Sequence, residues 1–325
     1  MFLARRGHFS HGLNRLEMYC NDLLHGICQP NNHPKVLKES GATALVDGCN
    51  GLGPVVGNFC MDLAVQKAKS VGVGWVIARG SNHYGIAGWY SQRAMKDGMI
   101  GLSMTNTSPV MTPTRGKGRI LGTNPLACFA SAGSDSFELD MATTAVAVGK
   151  IEVAKTKGES IPEGWALDVQ GHPTTDPVAG FAGSNMPLGG DELHSGYKGY
   201  GLSVMVELFC GVLGGASFGP NVRQWMSLER EANLGQCFIA LNPDCFAEGY
   251  QERLTSLLSS LRETPAVDPS LPILVAGDPE KQHMEKVDRL GGIAYHENQI
   301  NLCNKLAERL KVDCVEVLQN SQVAP

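Results

Sequence analysis

Hydrophobic and polar positions change rhythm along this chain, and the changes mark its elements. Leu13, Leu16, Tyr19, Leu23 and Leu24 recur at helical spacing and predict a helix over 13–24. A turn-rich stretch at 29–34 leads to a strand over 42–46, closed by Asp47-Gly48. A helix over 58–70 stops near Gly72. The unbroken apolar run 73–78 reads as a buried strand, 87–96 as a helix and 99–105 as a strand. Beyond a Pro/Gly/Thr loop at 108–118 come strands at 125–130 and 137–141, a helix at 145–157, and a strand–turn pattern at 165–174 bent at Gly171 and Pro173. A long polar loop, 181–196, precedes an apolar helix over 198–214 that carries the acid Glu207. A strand at 236–241, a helix at 246–261, a short strand at 273–276 and two closing helices, 279–290 and 297–310, complete the pattern. Helices and strands mix irregularly and no internal repeat is visible, so the expected class is α/β (α+β) with a mixed sheet.

Composition narrows the picture. With 325 residues, 43% hydrophobic and 18% charged, the chain suits a soluble globular protein with a large core and two domains. A net charge of −5 argues against a general nucleic-acid binder. No apolar stretch is long enough to span a bilayer; the best candidate, 201–216, carries Glu207. The ten cysteines include no Cys-x-x-Cys pair, which removes zinc-ribbon and thioredoxin-like readings. Without a signal peptide, scattered cysteines imply reduced thiols and a cytoplasmic location. Residues 1–15 hold three arginines and no acid, a faint transit-peptide pattern. The same residues carry Ser10-His11-Gly12, which a mature enzyme could not discard.

The chemistry begins with exclusions. No Gly-x-Gly-x-x-Gly joins a strand to a helix: Gly48-Cys49-Asn50-Gly51-Leu52-Gly53 has the wrong spacing, and Gly72-Val73-Gly74 precedes its strand. A Rossmann unit is therefore not expected. P-loop, His-Glu-x-x-His and Gly-x-Ser-x-Gly signatures are missing too, and no metal site is expected. Gly80-Ser81-Asn82-His83-Tyr84-Gly85, by contrast, follows the buried strand. It offers an imidazole that titrates near neutrality, framed by residues that let a ligand approach the backbone. His11 and Arg15, four apart, share a face if a helix begins near Ser10, with Ser10 as cap or hydroxyl donor. A guanidinium matches a carboxylate through two hydrogen bonds, so the pair can clamp a small acid. Each motif also has a plain structural reading. His83 can be a satisfied turn histidine, and Ser10–Arg15 a solvated helix start. Lys198 can be a surface residue of a capped helix instead of a phosphate ligand, and Asp140 a strand-end acid instead of a ribose or histidine partner. Gly122-Thr123-Asn124-Pro125 is a turn by composition, or a backbone contact to a ligand.

The conjunction is more specific than its parts. Ser10-His11-Gly12-x-x-Arg15, Gly80-Ser81-Asn82-His83-Tyr84-Gly85, Leu121-Gly122-Thr123-Asn124-Pro125, Leu139-Asp140-Met141-Ala142-Thr143, Pro162-Glu163-Gly164-Trp165-Ala166 and Gly196-Tyr197-Lys198-Gly199-Tyr200-Gly201 follow in that order. Together they resemble the type-2 malate/L-lactate dehydrogenase family, which also holds sulfolactate and ureidoglycolate dehydrogenases, diketogulonate reductase and cyclic-imine reductases. The resemblance runs from Arg6 to about Leu310 and is specific for the family but not for the substrate. It implies an NAD- or NADP-dependent oxidoreductase acting on a small 2-hydroxy acid, and a homodimer. It implies a non-Rossmann, largely antiparallel cofactor domain (46–267) set against a helical domain from both chain ends (1–45 with 268–325). It makes His83 the acid/base with His11 as alternative proton donor, and gives Arg15 the substrate carboxylate, helped by Ser10. Glu138, Leu139, Asp140, Met141 and Ala142, Tyr197 with Lys198, and the Gly277-Asp278-Pro279 turn are implied to contact the dinucleotide, with Thr123 and Asn124 nearby. Two other readings stay open: a cyclic 2-imino acid reductase, and a catalytically silent dinucleotide-binding protein. Family members carry a helical segment before the Ser-His-Gly motif, and this chain begins almost at it; truncation there would lead to the silent protein.

Overall fold

The computed structural model describes residues 2–317. Residues 1 and 318–325, the ends of the expected helical domain, lie outside them. In chain order the elements are α1 (Phe2–Arg5), α2 (Leu16–Leu24), β1 (Lys35–Glu39), β2 (Thr43–Asp47), α3 (Gly53–Val71), β3 (Val73–Ser81) and α4 (Gly88–Lys96). Then follow β4 (Ile100–Thr105), β5 (Leu126–Ala132), β6 (Asp135–Met141), α5 (Val148–Lys157), β7 (Ala166–Leu167), β8 (Pro173–Thr174), α6 (Pro177–Ala182) and β9 (Ser184–Asn185). The chain closes with α7 (Gly196–Glu207), β10 (Leu234–Leu241), α8 (Tyr250–Arg262), α9 (Asp278–Leu290) and α10 (Glu297–Leu310).

Alternation along the central strands builds the architecture. In β10, Phe238 and Ala240 face one side while Cys237 and Ile239 face the other; in β3, Val76 and Ala78 oppose Ile77. The first face packs under α3 and α4 through Val56, Cys60, Met61, Ala64 and Tyr90, the second under α7 through Val206 and under the turn after it through Cys210. Strands apolar on both faces occur where helices cover both sides of a sheet, and this explains the unbroken hydrophobic runs. The seven-stranded sheet runs β1-β2-β3-β10-β4-β5-β6. Among the described residues β2 and β3 are parallel and the remaining neighbours antiparallel, so the sheet is mixed and mostly antiparallel. Gly74 lets α3 lie against β3, since a Cβ there would fall 1.9 Å from the Ala64 carbonyl oxygen. A smaller sheet, β8-β7-β9, packs with α5 and α6 around Ile151, Ile161 and Ala166. The two chain ends meet: Arg5 pairs with Asp288, Arg309 with Glu17, and the Phe9 ring stands edge-on to Tyr295 at 5.5 Å.

Several sequence expectations change. Residues 13–15 form a 3₁₀ turn and α2 begins at Leu16. β1 was not expected, because all five of its residues are exposed and carry no alternation. α3 starts at Gly53, with a proline in its first turn. The segment 273–276 is not a strand: it gives β6 one backbone bond, Glu138 N–H to the Ala276 carbonyl at 3.0 Å, before Gly277 (φ +102°) turns the chain into α9. α7 ends at Glu207 and continues as a π-helical turn, Leu208–Val212, instead of running to 214. The expected polar loop 181–196 holds the end of α6 and all of β9. α8 begins at Tyr250, after Gly249 in the left-handed region (φ +73°).

Candidate active site

The loop after β3 is pinned by buried amides. Asn82 Nδ2 donates to Asn50 Oδ1 and the Gly51 carbonyl, both at 2.9 Å, and Gln236 Nε2 donates to the Asn82 carbonyl at 2.9 Å. Asn82 is thus an anchor, and His83 is presented beyond it. On the N-terminal side the expected helix over Ser10–Arg15 is replaced by two 3₁₀ turns, Phe9–His11 and Leu13–Arg15, hinged at Gly12. Ser10 caps nothing; its Oγ lies 3.0 Å from His11 Nδ1. The turns still bring His11 to His83, with nearly parallel rings 5.8 Å apart. Tyr19 Oη sits 2.6 Å from His83 Nδ1. The Trp225 ring lies 6.0 Å from that of His83 and 4.3 Å below the Arg15 guanidinium carbon.

These groups share an unusual electrostatic setting. Burial, then repulsion from His11 where that ring is protonated and from the Arg15 guanidinium, pushes the His83 imidazole down to about 3. Burial, Arg15 and His8 push His11 down to about 4. Both rings are therefore neutral at physiological pH. Burial also lowers the Arg15 guanidinium, and its Nε is buried without a partner among the described residues. A half-buried cation with an unpaired donor is a receptor for an anion.

Two adjoining cavities open on the cluster. The larger, about 470 Å³, is lined by His11, Arg15, Thr123, Asp140, Met141 and Ala142, with apolar walls from Ile86, Ala87 and Val148. The smaller, about 100 Å³, is lined by His83, His11, Met18, Thr105 and Trp225. The larger volume lies in the range of small-molecule and cofactor sites, and mostly apolar walls with a few polar groups suit a flat aromatic ring. Asp140 accepts the Gly88 N–H at 2.9 Å, and burial raises its carboxyl. The residues present therefore fit a nicotinamide nucleotide, with Thr123, Asp140, Met141, Ala142 and the start of α5 at Val148 and Gly149 beside it.

Other expected cofactor residues sit elsewhere. Asn124 is fully buried behind the wall, where its Oδ1 accepts the Thr107 N–H at 3.1 Å. Glu138 is locked in a buried pair with Arg6 at 2.5 Å, and Leu139 lies in β6 opposite Cys128. A Cβ on Gly277 would come 2.8 Å from Glu138 Cβ, and Asp278 pairs with Arg262 at 2.7 Å, so this turn buttresses β6 from behind. Pro279 opens α9 there. Tyr197 and Lys198 are exposed on α7 and line neither cavity. Sequence reasoning missed Tyr19 and Trp225. Tyr19 reads in the sequence only as an apolar position of the helix one turn past Arg15; Trp225 lies in an irregular segment that no periodicity marks.

Comparison with known proteins identifies the class. A family profile described as malate/L-lactate dehydrogenase matches residues 3–303. The chain belongs to that family and is a dehydrogenase. It is 41% identical over 307 residues to an L-sulfolactate dehydrogenase of Methanocaldococcus jannaschii, covering 93% of this chain and 86% of the relative. It is 40% identical over 316 residues to a malate dehydrogenase of Pyrococcus abyssi, covering 96% and 86%. Among solved structures, a malate dehydrogenase from Entamoeba histolytica superposes with a TM-score of 0.90 at 32% identity, covering 96% of this chain and 89% of that one.

Proposed function

We propose that this enzyme interconverts a small 2-hydroxy acid and its 2-oxo acid with NAD or NADP. The observation that carries the reading is the unpaired, buried Arg15 Nε in a cavity it shares with His11, next to His83. Arg15 binds the substrate carboxylate, with Ser10 beside it, and so sets the reactive carbon against the cofactor cavity. The nicotinamide, when bound, supplies the hydride exchange. His83 takes the hydroxyl proton in oxidation and returns it in reduction. A carboxylate on Arg15 offsets the positive charge that depresses His83, so substrate binding itself raises the basicity of the ring. His11 holds the second position for the proton.

Because the sheet contains the single parallel pair β2–β3 among the described residues, we place the cofactor on a non-Rossmann fold. The dinucleotide-binding domain takes the expected 46–267 together with 35–45, because β1 and β2 belong to the seven-stranded sheet, and the helical one takes the described residues 2–34 with 268–317; the pairing of α1 with α9 supports this division. Tyr197, Val204, Leu208 and Val212, at 43–51% exposure, form a stripe on one side of α7 and the turn after it. This stripe supports a homodimer with Tyr197 and Lys198 near the subunit boundary. The ten free cysteines suit a reducing cytoplasm, and among the described residues no helix is long and apolar enough to cross a membrane.

A panel of 2-oxo acids (pyruvate, oxaloacetate, sulfopyruvate) and a cyclic 2-imino acid, assayed with NADH and NADPH, tests the proposal. Turnover of at least one 2-oxo acid supports it. Turnover of the imine alone moves the chemistry to carbon–nitrogen reduction. NADH binding without any turnover identifies a silent dinucleotide binder.

A further inference from the structure

We propose that Tyr19 is the positioning residue that holds His83 at Nδ1, beside the Gly85 N–H, and through that ring relays the proton. The inference rests on the acid/base role given to His83 above. Three atoms carry it. Tyr19 Oη lies 2.6 Å from His83 Nδ1, and the Gly85 N–H points at the same nitrogen from 3.4 Å. A backbone N–H can only donate, so Nδ1 is an acceptor and the Tyr19 O–H donates to it. The neutral ring then carries its proton on Nε2. Nε2 has no protein partner among the described residues, and His83 lines the smaller cavity, so this N–H is the one left for the substrate oxygen.

A neutral imidazole that gives up Nε2–H would become an anion unless Nδ1 is protonated in the same event. Tyr19 supplies that proton. In reduction the Nε2–H bond breaks and a substrate O–H bond forms. The Tyr19 O–H bond breaks as an Nδ1–H bond forms and the ring stays neutral; once the product leaves, solvent water protonates Nε2 as the Nδ1 proton returns to the Tyr19 phenolate, which restores the starting state. Oxidation runs the same transfers backwards, with the Tyr19 phenolate as final acceptor. The groups that face this pair agree with the direction. Arg15 stabilises the phenolate, Asp22 opposes it, and His11 and Arg15 together keep His83 from holding a second proton. Burial carries the Tyr19 hydroxyl up to about 12, still a stronger acid than the alcohol formed from the substrate.

The test combines a spectrum with a rate. Histidine ¹⁵N NMR of the wild-type enzyme, with His83 assigned by loss of its signals in H83Q, is expected to show the Nε2–H tautomer at neutral pH. In Y19F the Gly85 N–H still favours that tautomer, so the Nδ1 resonance should shift as it loses its shorter hydrogen bond while Nε2–H persists, and kcat for 2-oxo acid reduction should fall at least ~10-fold. KM for the oxo acid and Kd for NADH should stay within about threefold, since Tyr19 touches neither. An Nδ1–H tautomer in an active wild-type enzyme, or a Y19F variant with wild-type kcat, would overturn the relay. Absence of wild-type turnover on every 2-oxo acid and imine would overturn the reaction assigned above, and the relay with it.

Discussion

At the scale of single residues the site consists of neutral imidazoles beside an unsatisfied cation. In the proposed mechanism His83 and His11 are the candidate proton carriers, both kept uncharged by burial and Arg15. Which one serves is decided by exchange to glutamine. H83Q should lose about 10²- to 10⁴-fold in kcat with Kd for NADH unchanged, whereas H11Q should retain most of its kcat. The reverse order in steady-state assays would hand the proton to His11. Arg15→Lys keeps the charge but removes the planar fork and its stacking on Trp225. We expect kcat/KM to drop by about 10- to 100-fold, matching the ~1.5–3 kcal/mol of a charged hydrogen bond, mostly through KM. Both residues stood out in the sequence because their motifs are local. Tyr19 did not, since its partner is 64 positions away and its ring reads as one more apolar residue of a helix.

Elements hold these side chains where they are. α3 lies close on β3 because Gly74 has no side chain, and β3 in turn delivers the loop of His83. Gly74→Ala would place a methyl group 1.9 Å from the Ala64 carbonyl oxygen, so helix and strand must part. Chemical denaturation should show a loss of several kcal/mol (overpacking costs of ~1–3 kcal/mol are typical where side chains can yield, and backbone yields less) or no folded protein. Gly98→Ala is the control: nothing lies within 4 Å, and the positive φ of +80° should cost only about 1 kcal/mol. Elements were legible where a helix or strand buries a periodic face, as in β3, α9 and α10. β1 escaped because an exposed edge strand has no such face, and the segment 273–276 misled because its short apolar run makes one bond to β6 and no ladder.

For the whole molecule the buried imidazoles couple stability to pH. Both have folded-state values below the ~6.5 of an unfolded chain, so the unfolded state binds more protons between about 6.5 and 4. The stability they contribute is complete above about pH 6.5 and is lost as pH falls through about 4 for His11 and about 3 for His83. Asp278 and Asp288, lowered by their arginine partners, act in the same direction at more acid pH. Melting temperatures should therefore fall steadily from pH 7 to pH 4, and H11Q should flatten that slope. A slope unchanged in H11Q would mean that His11 is not buried neutral in solution.

Sequence alone determined what is local or ordered along the chain. The unbroken apolar run that marks β3 as a buried strand, the glycine-framed His83, the Ser10-to-Arg15 cluster and the succession of family motifs each need only near neighbours or chain order to be seen. Tertiary structure decided which of these residues meet. It set Trp225 under Arg15 and Tyr19 against His83, turned the side chains of Asn124 and Glu138 away from the cavity, and left Lys198 on the surface. The physical reason is that hydrophobic periodicity specifies which face of an element is buried, while the partner of a polar group depends on how distant elements dock. A single hydroxyl or guanidinium leaves no repeating trace by which that docking can be read in advance.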